Sequence, residues 1–161
     1  MRQVIASVLV VGCFASPTAA FQTRAGASGG NARIGACSLL PQELVEKYFQ
    51  NKKLFPSLKP SEQPMGPKGS TCDYGSIHLQ VDPFANPDVL RKEVAKPGYE
   101  KVAGVGDEAY FHNNKDRFAE LVVWTGAHHF TIQMDINSGK TAATTRPDTI
   151  AVANAIIPKL R

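Results

Sequence analysis

Four histidines, His78, His112, His128 and His129, head the residues of this chain that could hold a metal or move a proton. A zinc site needs three or four ligands converging on one point, often with two on one face of a helix or strand. His128 and His129 are consecutive, so in a strand their side chains leave opposite faces. Bringing His78 or His112 to either of them takes a tertiary juxtaposition that no spacing announces. The histidines are therefore expected on the surface or in turns, with no metal ligand among them. Among the carboxylates, Asp107 and Glu108 alternate in direction, while Asp82 and Glu120 stand alone. General acid–base catalysis needs two groups of separated pKa in one cleft, which is a property of packing. No catalytic residue is assigned from the sequence.

Three short motifs imitate known sites. Gly26-Ala27-Ser28-Gly29-Gly30 has the pattern of a nucleophile elbow. It lacks the strand before the serine and the helix after it that the elbow requires. Gly104-Val105-Gly106-Asp107-Glu108-Ala109 has the pattern of a dinucleotide fingerprint, which must open a helix. Here it leads into Tyr110-Phe111, a strand start, and reads as a turn. Ser138-Gly139-Lys140-Thr141 resembles the end of a phosphate-binding loop, but its first glycine position is Met134 and no helix pattern follows closely. No cofactor, and no residue binding one, is expected.

The elements that would have to position any site are read from periodicity. Pro41, Glu43 and the apolar face of Leu40, Leu44, Val45, Tyr48 and Phe49 predict a helix over about 41–50. Residues 51–71, with four prolines and two glycines, read as a long irregular connection. A strand is expected from Cys72 to Val81, and a short helix over 87–96 between Asn86 and Pro97-Gly98. Strands follow at about 107–112, 117–124 and 128–136, joined by turns at Asn113–Asp116 and Thr125–Ala127. A last helix is expected after Pro147, with Ile150, Ala153, Ile157 and Leu160 inward. Trp124, the single tryptophan, is assigned to core packing. The expected fold is α+β: an antiparallel sheet of about four strands with helices on one face, in the order α-β-α-β-β-β-α.

The 161 residues suffice for one domain with its own core. Met1-Arg2-Gln3, an uncharged apolar stretch from Val4 to Ala15, and the small residues ending at Ala20 have the three parts of a secretory signal. Residues 1–20 are thus expected to be a signal peptide, residues 21–36 a flexible lead-in, and residues 37–161 the single domain. Two endings of the signal stay open. One is cleavage between Ala20 and Phe21; the other is lipidation of Cys13, which Val10-Val11-Gly12 precedes as in a lipobox. No later stretch is long and apolar enough to predict a transmembrane span. The expected location is periplasmic or extracellular, with a lipid anchor if Cys13 is the processed residue. Cys37 and Cys72 remain as an even pair in an oxidising compartment and are expected to form a disulfide. It would close a loop of about 36 residues, for which the chain-entropy relation gives roughly 3.8 kcal/mol.

Cys37-Ser38-Leu39-Leu40 before a helix, Cys72-Asp73-Tyr74 at a strand, and Val105-Gly106-Asp107-Glu108-Ala109-Tyr110 at another carry a resemblance. Over residues 36–161 the chain resembles a family of small bacterial envelope proteins, many of them lipoproteins, whose domain begins Cys-Ser-Leu-Leu. The resemblance implies a secreted α+β domain with a paired cysteine and no established activity. The chain departs from that pattern at Leu40, where the family usually carries a Thr or Ser cap.

Charge narrows the partners. The formal net charge of +4 is mild and gives no reason to expect nucleic acid. The excess lies in residues 47–68, where Lys47, Lys52, Lys53, Lys59 and Lys68 face only Glu62. Lys52, Lys53 and Lys59 are the candidate contacts to an anionic envelope surface; another envelope protein is the other expected partner class. The function expected is a non-enzymatic binding or envelope-associated protein. The rivals are a small periplasmic hydrolase using His and carboxylate groups of the sheet, and a structural lipoprotein. A concave pocket with His128 or His129 beside a carboxylate would favour the hydrolase, and a flat basic or apolar patch would favour binding.

Overall fold

A computed structural model describes residues 33–48, 59–114, 117–136 and 142–161. The expected signal peptide, Cys13, the Ala20–Phe21 junction, most of the lead-in, both motifs at 26–30 and 138–141, and Lys52 and Lys53 lie outside the described residues.

Among the described residues, seven antiparallel strands form one sheet. The helices α1 (Ala36–Leu39) and α2 (Gln42–Tyr48) precede β1 (Ser61–Met65), β2 (Gly69–Asp73) and β3 (Ile77–Val81). Then come α3 (Asp88–Val94), β4 (Tyr99–Lys101), β5 (Glu108–Asn114), β6 (Phe118–Thr125) and β7 (His128–Asp135). The chain ends in α4 (Ala142–Ile156) and a short 3-10 turn, Ile157–Lys159. The spatial order is β1-β2-β3-β7-β6-β5-β4, so β7 inserts between β3 and β6.

The expectation of about four strands with helices on one face is corrected in both respects. The stretch read as irregular contains the β1–β2 hairpin. Pro64 is tolerated there because β1 is an edge strand with one unpaired side. The stretch read as one strand from Cys72 to Val81 is two, because Gly75, at φ 79°, turns the chain between β2 and β3. Tyr99–Lys101 is too short to carry a period, yet it pairs along β5.

Helices cover both faces because β6 is apolar on both. Leu121 and Val123 face one side with Leu79, Val81, Phe130, Ile132 and Met134, and are covered by α1, α2, α4 and the C-terminal turn. Val122 and Trp124 face the other side, where Leu90 and Val94 of α3 pack on them. An apolar run on both faces of a strand demands a cover on each. Trp124 is 6% exposed, in the core as expected, with the Arg91 guanidinium 4.9 Å from its ring centre.

Helix α4 begins five residues before Pro147 rather than after it. Pro147 lies inside the helix as its sixth residue, where it removes one backbone donor without ending the helix. Cys37 and Cys72 are joined as a disulfide that pins α1 to β2. Beside it, Ser70 Oγ accepts from the Ala36 N–H at 2.7 Å, and the buried Tyr74 hydroxyl donates to the Leu40 carbonyl at 3.0 Å. Among the described residues no helix is long and apolar enough to cross a membrane.

Candidate functional site

One end of the sheet gathers three connections: the β1–β2 turn, the segment that leaves β3, and the β6–β7 turn. Their approach depends on glycine. A Cβ on Gly69 would lie 2.0 Å from the Val81 carbonyl oxygen and 2.3 Å from that of Asp82, so only glycine lets β2 pass so close. Asp82 follows directly on β3 and bends the chain at φ 44°, a left-handed conformation that aspartate tolerates better than most residues. Its N–H donates to the His129 carbonyl at 2.8 Å, which places Asp82 laterally beside the start of β7.

From there the Asp82 carboxylate reaches both histidines. Oδ1 accepts from the His129 backbone N–H at 2.9 Å and lies 3.2 Å from His129 Nδ1. Oδ2 lies 2.7 Å from His128 Nδ1. Adjacent strand residues do leave opposite faces, but a carboxylate at the strand end serves both, and the expectation of two unrelated surface histidines is corrected. His129 is buried, with its side chain 5% exposed, and His128 is half-buried. Because a carboxylate only accepts, His128 Nδ1 carries the proton in the neutral ring and its Nε2 keeps the lone pair. His129 Nε2 is buried without a hydrogen-bond partner among the described residues, as is Nε1 of Trp124, its cross-strand neighbour. Burial holds the His129 pKa below the ordinary 6.5; Asp82 pulls it up and His128 pushes it down.

These groups line a cleft of about 540 Å³. Its walls are otherwise apolar: Ile34, Pro67, Phe84, Ala85 and Pro87. Phe84 is 40% exposed, one of the two large apolar side chains that the described residues leave open. Lys68, on the β1–β2 turn, supplies a cation at the cleft. The Asp82–His128 pair has the hydrogen bond of a general base and its orienting carboxylate. No serine, threonine, cysteine or tyrosine lines the cleft among the described residues.

The remaining assignments scatter. His112 stacks on Tyr99 with ring centres 4.6 Å apart, and the Tyr99 hydroxyl donates to Glu120 at 2.8 Å. Burial first, then Glu120, pushes the Tyr99 pKa up. His78 sits 3.4 Å from Asp73 on an open sheet face. Among the described residues no group of three His, Cys, Asp or Glu side chains could hold a metal ion. The fingerprint-like glycines form a turn into β5, as their context implied. Asp107 in it donates its N–H to the Trp124 carbonyl and accepts from the Gly126 N–H at 2.6 Å, latching that corner to the β6–β7 turn. Lys59 is exposed, and no arrangement gathers it with the cleft.

Sequence reasoning missed Asp82, Phe84 and the cleft role of Lys68. The one available signal was Asp82-Pro83 closing an alternating strand, a turn-forming pair with a carboxylate in it. Compared with known proteins, the chain matches no family model, no curated protein and no solved structure.

Proposed function

We propose that the chain is an exported, disulfide-bonded binding domain that holds a small, largely apolar ligand in the cleft between the β1–β2 turn, residues 82–87 and the β6–β7 turn. The observation that carries this reading is the cleft itself. Its volume of about 540 Å³ and its apolar walls with a few converging polar groups are those of small-ligand sites. No hydroxyl or thiol lines it among the described residues, which leaves a serine-, threonine- or cysteine-based acyl-enzyme without its nucleophile there.

A concave cleft with His128 and His129 beside the Asp82 carboxylate is the arrangement expected of the hydrolase rather than of a flat binding patch. The hydrolase therefore stands as a second reading, with His128 as a general base acting on water. The two readings separate in one experiment. Octanol is titrated into the full chain while backbone amide shifts are followed, and para-nitrophenyl acetate hydrolysis is assayed in parallel. Binding predicts shifts concentrated at Phe84, Ala85, Ala127 and His128, lost in Phe84→Ala, with ester hydrolysis no faster than in a His128→Gln variant. Shifts absent or spread evenly over the surface would remove the binding reading. Turnover abolished by His128→Gln would put the hydrolase in its place.

A further inference from the structure

The cleft has a direction of charge that its apolar walls do not. Three elements contribute its charged and titratable groups: Lys68 from the β1–β2 turn, Asp82 from the end of β3, and His128 and His129 from β7. Asp82 is largely engaged within the fold. Its two oxygens already face His129 N–H, His128 Nδ1 and His129 Nδ1 at 2.9, 2.7 and 3.2 Å, and its side chain is 13% exposed. Lys68 is the opposite case. It is exposed and enters no ion pair or hydrogen bond with any described residue. Its turn is held in place by the Gly69 approach to the Val81 and Asp82 carbonyls, so the ammonium has a fixed base beside the cleft.

On this basis, and resting on the binding reading above, we propose that the ligand is an organic acid: an apolar body against Phe84, Ile34 and Pro67, with its anionic group paired to Lys68. An ammonium ligand would have to share a mostly buried carboxylate with two histidines and would meet Lys68 as a like charge. A neutral ligand would lack the ion pair.

Octanoate, octanol and octylammonium share one apolar body and differ in the head group. Each is titrated into the full chain and into Lys68→Gln, with amide shifts at Phe84, Ala85 and Ala127 as the readout. The expected result is octanoate about threefold tighter than octanol, the scale of one exposed ion pair, with octylammonium weakest. In Lys68→Gln, the octanoate and octanol affinities should converge while that of octanol stays unchanged. Octanol or octylammonium binding as well as octanoate, or a preference for octanoate that survives Lys68→Gln, overturns the acid assignment but leaves the binding reading standing. No cleft shift from any of the three overturns both. Lys68 is exposed on a turn, so its replacement leaves folding intact, which the unchanged octanol titration checks directly.

Discussion

Asp82 sets the chemistry of the cleft because one carboxylate orders two imidazoles, and it does so from a backbone conformation few residues accept. In the sequence it stood isolated: its partners lie 46 and 47 positions away. His129 carries the clearest consequence. Burial lowers its pKa in the folded chain, so below the ordinary value of 6.5 the unfolded chain binds more protons than the folded one. Stability is therefore full above that value and is lost as pH falls through it. Urea unfolding at about pH 7.5 and about pH 5.5 should give a lower midpoint at the acid value, and a His129→Gln variant should show a smaller difference between the two. An unchanged wild-type midpoint would mean that the ring takes up its proton in the fold at no cost.

At the scale of elements, the β1–β2 hairpin is what separates this protein from the four-stranded fold its periodicity suggested. Prolines and glycines normally signal loops, and residues 61–73 hold enough of both to hide two strands. Here they serve an edge strand and its turn: Pro64 lies in β1, Gly66 takes φ 62°, and Gly69 slides under the β3 carbonyls. Gly69→Ala should therefore cost about 3 kcal/mol, the upper range for overpacking against backbone that cannot move aside. Chemical denaturation measures this. A loss below about 0.5 kcal/mol would show that the hairpin relaxes without strain. Helix α3 makes a related point. Its boundaries, 88–94, fall within the expected 87–96, yet the face it covers depended on Val122 and Trp124 turning away from the main core.

For the molecule as a whole, the Cys37–Cys72 bond ties the first helix to the sheet across a separation of 35 positions. Mass spectrometry without reductant should find no free thiol at either residue. Cys72→Ser should lose about 2–4 kcal/mol, since the unfolded chain regains its loop entropy; labelling of both thiols in the native protein would exclude the bond. The basic stretch is a second property at this scale. If Lys52, Lys53 and Lys59 meet an anionic envelope surface, the full chain should co-sediment with anionic but not neutral vesicles, at roughly 1 kcal/mol per lysine. Binding should weaken as salt screens the charges over about 8–10 Å. Equal sedimentation with both vesicle types, or no loss on changing all three to Gln, would leave these lysines as solvated surface.

The sequence by itself determined the local pieces whose signals are short-range. Alternation of Phe130, Ile132 and Met134 marked β7, Thr125–Ala127 marked the turn that leads into it, and an even pair of cysteines marked the bridge. Tertiary structure alone decided the rest. The number of strands rested on an edge hairpin without periodicity, and the second helical layer rested on which way a four-residue apolar run, Leu121–Trp124, is covered. The cleft rested on Asp82 meeting His128 and His129. Periodicity reports which face of an element is buried, but not which distant element buries it. A site built where a strand ends against two turns is made of those long-range encounters.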